Sequence, residues 1–322
     1  MNEIITTSVD SIELIEKRKQ RLSILAEWTG FCNLSCPVCP INDEGMRQKG
    51  HMSLELWGNI LESCAKEGNF VDWVHVLGEP LLWKNFFEGM KLWKESGLSK
   101  YGHISTNGQL LTDEKIECIA ETGVSAVRIC LDTMRPDVYK QIRGNEGHAN
   151  LIANIHKFLE KAPNIECQIQ LMKTKNNLDE TADCFFKEFG YGKNMGIFVT
   201  ECMYFGGKNT LTKERNIERN PGLCTKVNYE HCPITWDGKV GLCCADAWLH
   251  NSLGNYTKGS IRDIYCGEAA ENIRRQIREG DYSSALTCTF CSMDHLDYSC
   301  QLVTEYTKDS RLRRLVRKIL KV

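Results

Sequence analysis

Apolar positions along residues 20–205 follow two spacings in turn, and these spacings predict alternating strands and helices. Short apolar runs rich in Val and Ile are typical of buried strands, whereas apolar residues three or four positions apart predict the buried side of a helix. The runs predict six strands, at Leu22–Trp28, Phe70–Val76, His103–Thr106, Ala126–Leu131, Glu166–Met172 and Gly196–Thr200. The helical spacing predicts helices at 10–21, Met52–Lys66, Leu82–Ser96, after Thr112, and at Asn150–Lys161 and Leu178–Phe189.

Helices that alternate with strands connect parallel neighbours, so the pattern predicts an α/β fold with a parallel sheet. In such folds the functional loops follow the carboxyl ends of the strands. Each residue at those ends also has an ordinary explanation as a turn former, a helix cap or a core residue. The residues at these ends are the cysteine-rich loop after the first strand, Gly78, Glu79, Pro80, Ser105, Asn107, Asp132 and Met172. Together they predict a site at one edge of the sheet.

The cysteine-rich loop has the sequence WTGFCNLSCPVCP and contains Cys32, Cys36 and Cys39. Three thiolates at this spacing can converge on one small inorganic centre without a fourth protein ligand. Structural zinc normally has four closed ligands, whereas a [4Fe-4S] cluster held by three cysteines leaves one iron open to another ligand. A zinc ion and inert buried thiols are the two alternatives to a cluster at this loop.

A second set of cysteines follows a change of pattern. Strand and helix alternation ends at residues 206–221, where glycine, asparagine and charged residues predict a linker. Asp237-Gly238 then lies between two apolar runs and predicts a hairpin, and a helix is expected at about Ser260–Glu279. The thiols around these elements are those of Cys224, Cys243, Cys288 and Cys291. From the ligands alone, a zinc ribbon and a second [4Fe-4S] cluster are both consistent with this set.

Composition narrows the class of protein and its compartment. The chain has 322 residues and a formal net charge of -2, which gives no bulk attraction to nucleic acid. Its 17 cysteines would suggest disulfides in a secreted protein. The N-terminal segment MNEIITTSVDSIELIEKRKQ has no apolar region typical of a secretory signal, and no run approaches the roughly 18 apolar residues that span a bilayer. We therefore expect a cytoplasmic protein with thiolates bound to metal.

The C-x3-C-x2-C spacing of Cys32, Cys36 and Cys39 resembles the signature of the radical S-adenosylmethionine (radical SAM) superfamily. The order of strands and loops over residues 20–205 resembles that family's partial (β/α)6 barrel. The chain departs from the family pattern at Val38, where an aromatic residue is frequent, and at Leu77, which replaces the first glycine of G-G-E-P. Neither departure removes a cysteine of the signature.

The resemblance implies a cofactor and its contacts. The three cysteines are expected to hold a [4Fe-4S] cluster whose open iron binds S-adenosylmethionine (SAM). Asp132, Tyr139, Arg143 and Gly144 resemble the family's L-D-x6-Y-x2-I-R-G segment, and Arg143 is expected to point toward the SAM carboxylate or the substrate. The other contacts implied are Gly78, Glu79 and Pro80 with the methionine amino group, Ser105 and Asn107 with the ribose, and Met172 with the adenine.

Residues 222–300 resemble the auxiliary-cluster domain called twitch, a shortened relative of the SPASM domain. The resemblance implies one auxiliary [4Fe-4S] cluster, because Asp297 stands where a full SPASM domain continues with cysteine. The spacing from Gly238 selects Cys243 over Cys244 as a ligand, and the full implied ligand set is Cys224, Cys243, Cys288 and Cys291. The expected domains are a barrel with an N-terminal helix at 1–205, a linker at 206–221, the twitch domain at 222–300 and a basic helix at 301–322.

The resemblance also implies an activity. Reductive cleavage of SAM would give methionine and a 5′-deoxyadenosyl radical that removes hydrogen from a C–H bond. The chain's size and single expected auxiliary cluster resemble aminoglycoside-pathway members of the family, so we expect dehydrogenation or epimerisation of a carbohydrate-like or aminocyclitol-like small molecule. Cys244, Cys232 and Cys300 are candidate hydrogen donors, and Arg143 is a candidate catalytic residue. A flavodoxin or ferredoxin is the expected electron donor. The alternatives are a maturase of a ribosomal peptide or protein side chain and a zinc-binding interaction module.

Overall fold

The computed structural model describes residues 12–192, 194–202, 224, 226–285, 287–288 and 301–304. The helices in this part of the chain are α1 (Ile12–Gln20), α2 (Leu54–Glu67), α3 (Phe86–Glu95), α4 (Asp113–Thr122), α5 (Pro136–Arg143), α6 (His148–Lys161), α7 (Ala182–Phe189), α8 (Ile261–Tyr265) and α9 (Glu268–Arg278). The strands are β1 (Ser23–Ala26), β2 (Phe70–Trp73), β3 (His103–Thr106), β4 (Ala126–Cys130), β5 (Glu166–Lys173), β6 (Met195–Glu201), β7 (Cys232–Ile234), β8 (Lys239–Gly241), β9 (Ser252–Asn255) and β10 (Gln301–Thr304).

In the described residues these strands form one sheet in the order β10-β6-β5-β4-β3-β2-β1-β7-β8-β9. Strands β1 to β6 pair in parallel, each with its sequence neighbour. Helices connect them, as parallel pairing requires. The predicted α/β fold with a mostly parallel sheet is therefore confirmed, and the topology is compatible with a partial barrel.

The two faces of the sheet differ in chemistry because side chains alternate along each strand. The outer face is apolar and packs against the helices; its fully buried residues on β3 to β6 are Ile104, Val127, Ile129, Cys167, Ile169, Leu171 and Ile197. Parallel register aligns the intervening positions on the opposite face, where Ser105 lies beside Arg128, and Cys130 lies beside Gln170. We call this opposite, polar face the inner face.

The second domain extends the sheet of the first. Strand β7 pairs in parallel with β1, with Ile24 opposite Cys232 and Ala26 opposite Ile234. The hairpin predicted at Asp237-Gly238 is confirmed, because β7 and β8 pair antiparallel around it. Gly238 has φ +88, and a Cβ there would lie 2.3 Å from the Tyr256 carbonyl oxygen. This turn therefore requires glycine.

Several expectations differ from the structure. The helix expected at about Ser260–Glu279 is two helices, α8 and α9, because Gly267 between them has an extended backbone with φ -69 and ψ 166. The helix α5 was not predicted from the apolar spacing. Residues 301–304 were expected to begin a basic helix but form a strand along the open edge of β6, where unpaired backbone groups accept a partner strand.

Other expectations fall outside the part of the chain that the structure describes. The linker expected at 206–221 and the remainder of the expected basic helix, 305–322, both lie there. No helix among the described residues is both long enough and apolar enough to cross a membrane.

Four buried indoles form the core between the first strands and α2 and α3. The Trp28 ring stacks on Trp83 with 4.6 Å between ring centroids, and its edge contacts with Trp57 and Trp93 have centroid distances of 5.3 and 5.8 Å. Gly89 on α3 lies directly against this group, since a Cβ there would be 1.9 Å from the Trp83 ring. Such close packing leaves no room for an added methyl group.

We expect Gly89→Ala and Gly58→Ala to change stability in opposite directions. Gly58 lies within α2 with open space around its missing Cβ, so alanine should stabilise the helix by about 1 kcal/mol. Gly89→Ala should instead destabilise the fold by about 1–3 kcal/mol, because the indole must move. Thermal unfolding midpoints of the two variants measure this difference. Equal midpoint shifts of the same sign would contradict the indole packing.

Candidate functional site

A buried ion pair fixes the segment that follows the predicted cysteine ligands. Glu27, at the end of β1, is fully buried, and Arg47 Nη1 donates to its Oε1 at 2.6 Å while Nη2 contacts Oε2. The same carboxylate accepts the Leu77 backbone N–H at 3.0 Å. Arg47 Nε donates to the Ala247 carbonyl of the second domain at 3.0 Å. Two side chains thus connect the cysteine loop, the segment after β2 and the second domain.

The segment of Gly78, Glu79 and Pro80 lies against the backbone of the cysteine loop. The Glu79 N–H donates to the Phe31 carbonyl at 2.8 Å. Gly78 has φ +80, and a Cβ there would lie 2.1 Å from the Thr29 carbonyl oxygen. Only glycine permits this approach. The sequence was interpreted as giving Gly78 close approach to a ligand, and the structure shows close approach to the loop itself.

Glu79 joins the loops after β2 and β3. Its Oε1 accepts the Thr106 hydroxyl at 2.7 Å and the Leu81 N–H at 3.1 Å, and its Oε2 accepts the Asn107 N–H at 2.7 Å. Pro80 is buried and begins a single helical turn. Both oxygens of Glu79 therefore fix the loops after β2 and β3 relative to each other, and they hold the Asn107 backbone in place.

Asn107 and Arg143 contact predicted cluster ligands. Asn107 Nδ2 lies 3.8 Å from Cys32 Sγ, which also accepts the Leu34 N–H at 3.4 Å. Arg143 Nη1 lies 3.9 Å from Cys36 Sγ. Hydrogen bonds to ligand sulfurs stabilise the electron-rich cluster and adjust its potential. Asn107 was expected near the ribose, and in the structure its amide faces the cysteine loop.

Asp132 positions Arg143. The carboxylate is fully buried, forms an ion pair with Arg143, and its Oδ1 accepts Gln170 Nε2 at 2.8 Å. Asp132 has φ +71, a left-handed conformation that is uncommon for a residue with a side chain. Arg143 ends α5, and Gly144 after it has φ +72 and would place a Cβ 2.7 Å from the Ser35 carbonyl oxygen. The C-terminal end of α5 therefore packs directly against the cysteine loop.

Val38 and Met172 lie on the same side of the loop. Val38 is buried with Val138 and Ile142 of α5, and Cys36, Met172 and Cys202 pack against this group. The valine at this position thus fills a contact between the loop and α5. Met172 therefore lies next to the cysteine loop.

The donor chemistry of the three-cysteine loop fits a cluster. Its side chains offer three thiols and no fourth ligand, and burial raises the pKa of Cys39 to about 12 and also raises that of Cys32. Such thiols are protonated at neutral pH and release their protons when they bind metal. Among the described residues, no group of three or more His, Cys, Asp or Glu could hold a single metal ion. A cube differs from a single ion because each thiolate binds a different iron.

The inner face of the sheet is polar and concave below this loop. Arg128 of β4 reaches strands two places away on both sides: its guanidinium carbon lies 4.4 Å from the Trp73 ring centroid and 3.4 Å from that of Phe198. Its Nη2 donates to Gln168 Oε1 at 2.8 Å. The Trp73 ring also stacks on His103 with 4.7 Å between ring centroids. We call the layer formed by Trp73, His103, Arg128, Gln168 and Phe198 the floor of the inner face.

Polar side chains lie between the floor and the cysteine loop. Ser105, Cys130 and Gln170 each follow a floor residue by two positions on their strand, and His75 follows Trp73 in the same way. Burial near Arg128 and Arg143 lowers the pKa of His75 to about 4. Closed barrels normally fill this layer with branched apolar side chains, so the polar layer here is suited to contact a polar ligand.

The predicted ligands of the second site approach one another around a small apolar cluster. Cys224 and Cys288 both pack with Val227, Leu242 and Ile277, and Cys243 directly follows Leu242. Cys243 Sγ accepts the Ala245 N–H at 3.3 Å. The fourth predicted ligand, Cys291, lies outside the described residues.

Asp246 holds this second site together. Its Oδ1 accepts the Thr287 hydroxyl at 2.6 Å and the His250 N–H at 3.0 Å, and its Oδ2 accepts the Asn251 N–H at 2.7 Å. Thr287 precedes Cys288, and Asp246 follows Cys243 by three positions. One buried carboxylate therefore links the two segments that carry predicted ligands.

The candidate hydrogen donors lie in different places. Cys232 is fully buried in the main hydrophobic core with Cys64, away from the cysteine loop. Cys244 is partly buried in the turn after Cys243, and Cys300 lies outside the described residues. Cys130 lies within the predicted strand Ala126–Leu131, a position that predicts a core residue, but it is partly exposed on the inner face. The alternation of Arg128 and Cys130 with Val127 and Ile129 is the signal in the sequence that could have placed Cys130 on the inner face.

Comparison with known proteins establishes the family. Residues 27–185 match the radical SAM superfamily, and residues 224–292 match the SPASM iron-sulfur cluster-binding domain. A tungsten-containing aldehyde ferredoxin oxidoreductase cofactor-modifying protein of Pyrococcus furiosus is 32% identical over 83% of this chain and 86% of its own length. The chain belongs to the radical SAM superfamily. Its two domains imply SAM, a [4Fe-4S] cluster and auxiliary iron-sulfur binding.

Other relatives share the family but differ in what they act on. The PqqA peptide cyclase of Gluconobacter oxydans is 26% identical over 58% of this chain, and the match spans only 50% of that protein. Among solved structures, BtrN in complex with AdoMet and 2-DOIA has a TM-score of 0.57 at 18% identity, covering 87% of this chain and 97% of BtrN. SuiB of Streptococcus suis, bound to the precursor peptide SuiA, has a TM-score of 0.64 at 15% identity, covering 87% and 72%. These structures show a shared fold.

We expect Asp246→Asn to remove the auxiliary cluster and leave the first. An amide nitrogen would face a backbone donor that now binds a carboxylate oxygen, and loss of such supporting contacts typically lowers metal affinity 10–100-fold. Iron per chain after anaerobic reconstitution and desalting should fall from about eight to about four. Asp263→Asn, an exposed acid of the same domain, is the control. Unchanged iron in Asp246→Asn would contradict this role.

Proposed function

We propose that this radical SAM enzyme removes a hydrogen atom from a C–H bond of a small polar molecule, carbohydrate-like or aminocyclitol-like, in a reaction that ends in dehydrogenation or epimerisation. The observation that carries the proposal is the polar inner face between the floor and the cysteine loop. Hydroxyl, amide, thiol and imidazole groups there suit a substrate rich in hydrogen-bonding groups. Binding in this layer would place the substrate beside the cysteine loop.

The cofactor supplies the difficult step: SAM bound to a reduced cluster is the source of the radical that removes the hydrogen. The chain's own residues bind and orient the cluster and SAM. Cys32, Cys36 and Cys39 hold the cluster in this proposal, Asn107 and Arg143 donate to its sulfurs, and Met172 faces the adenine. Ser105 is proposed to bind a ribose hydroxyl. Arg143, held by Asp132, remains the candidate for the SAM carboxylate.

The second domain is proposed to hold one auxiliary cluster through Cys224, Cys243, Cys288 and Cys291. The loop from Cys243 to Ala247 spans at most roughly 14 Å when extended, and Ala247 packs in one group with Cys32 and Cys39. This short path would let the auxiliary cluster take or return an electron during turnover. Enzymes of this family need a reductant, and we propose a flavodoxin or ferredoxin for this chain.

A peptide or protein substrate is the second candidate. The names of two relatives favour it: the Gluconobacter oxydans protein is a peptide cyclase, and SuiB was solved with a precursor peptide. A peptide could place one polar side chain into the inner face while its backbone remains outside. The two candidates therefore differ in the size of the molecule rather than in the chemistry of the cavity.

Fractionated extract distinguishes the two candidates. The reconstituted enzyme, SAM and a reductant are incubated without oxygen with an extract of the source organism, which ultrafiltration has separated into small-molecule and peptide-containing fractions. We expect the small-molecule fraction to increase 5′-deoxyadenosine formation, and the increase to survive exhaustive protease digestion of that fraction. A Cys32→Ala, Cys36→Ala, Cys39→Ala variant should form none.

Stimulation by the peptide-containing fraction alone, abolished by protease, would favour the peptide candidate. SAM cleavage that persists in the triple variant would contradict the family's chemistry at this loop.

A further inference from the structure

Cys130 is a thiol of the inner face that lies beside residues of the predicted SAM site. It ends β4, two positions beyond the floor residue Arg128 and therefore one layer nearer to the cysteine loop. Its Sγ lies 3.7 Å from the hydroxyl of Ser105, the residue expected to reach the ribose. The other strand cysteine of this region, Cys167, is fully buried on the outer face.

The Arg143 guanidinium interacts with both Cys130 and the predicted cluster ligand Cys36. Arg143 Nη1 lies 3.9 Å from Cys36 Sγ, and the Arg143 charge also acts on the Cys130 thiol. Arg143 is only 12% exposed, and its buried Nε has no hydrogen-bond partner among the described residues. A buried donor without a partner is costly, which indicates that a polar group of a ligand belongs next to it. The thiol thus borders a ligand site rather than packed core.

The Cys130 thiol is suited to give a hydrogen atom. Burial raises its pKa above the usual range, with Asp132 also raising it and Arg143 opposing. A protonated thiol keeps the S–H bond intact at neutral pH. An S–H bond is weaker than an ordinary C–H bond, so a carbon radical can take its hydrogen.

We propose that Cys130 is the hydrogen-atom donor to the substrate radical, which assigns epimerisation or another net-neutral rearrangement to the enzyme. This inference rests on the proposed function. The S–H bond of Cys130 breaks, a C–H bond forms on the substrate, and a thiyl radical remains on sulfur. One electron from the auxiliary iron-sulfur cluster and one proton from solvent regenerate the thiol.

Deuterium transfer tests the assignment without knowledge of the substrate. The holoenzyme is incubated in D2O with SAM and titanium(III) citrate, without substrate and without added thiols, and the deuterium content of 5′-deoxyadenosine is measured by mass spectrometry. With no substrate present, the exchanged S–D bond of Cys130 is a weak bond that the radical is expected to attack. We expect wild-type 5′-deoxyadenosine to carry one deuterium, and Cys130→Ala to lose this label. Cys130→Ser should also lose it, because the O–H bond that replaces the thiol is too strong to donate.

Cys167→Ala is the matched control, since it removes a strand thiol from the opposite face, and it should retain the label. Unlabelled product from the wild type, or full label in Cys130→Ala, would overturn the assignment while leaving the proposed function intact. Absence of 5′-deoxyadenosine both here and with the extract fractions would overturn the proposed function and this inference with it.

Discussion

The arrangement of the site depends on the buried ion pair between Glu27 and Arg47. A carboxylate at the end of a central strand is costly to bury unless it is paired and hydrogen-bonded. Glu27 meets that requirement with both guanidinium nitrogens and the Leu77 N–H. Arg47 then uses its remaining nitrogen on Ala247 of the second domain. Satisfying one buried charge thus fixes the cysteine loop, the segment after β2 and the auxiliary domain relative to one another.

Around this pair, the alternation of side chains along the strands separates stability from chemistry. The outer face is apolar and packs on the helices, whereas the inner face has a floor built on Arg128 and a polar layer above it. Glycines at 78 and 144 bring two neighbouring segments against the cysteine loop. The loop is therefore held by backbone contacts on two sides.

The sequence predicted the parallel sheet well, because most strands are short apolar runs and most connecting helices have a clear periodicity. It also located the two groups of cysteines. It missed α5, whose eight residues begin at Pro136 and offer only a short apolar stripe. It assigned Cys130 to the core because a run such as AVRICL is buried on both faces in many parallel sheets. The Glu27–Arg47 pair joins residues 20 positions apart, and nothing local distinguishes Arg47 from a solvated loop arginine.

A double-mutant cycle on Glu27 and Arg47 tests this account most directly, with thermal midpoint and iron per chain as readouts. Arg47→Met leaves a buried carboxylate unpaired, so it should destabilise the protein by about 3–5 kcal/mol and prevent iron loading at the cysteine loop. The Glu27→Leu, Arg47→Met double variant removes both charges and should recover most of the thermal midpoint. Arg47→Met protein with a wild-type midpoint and full iron content would contradict the account.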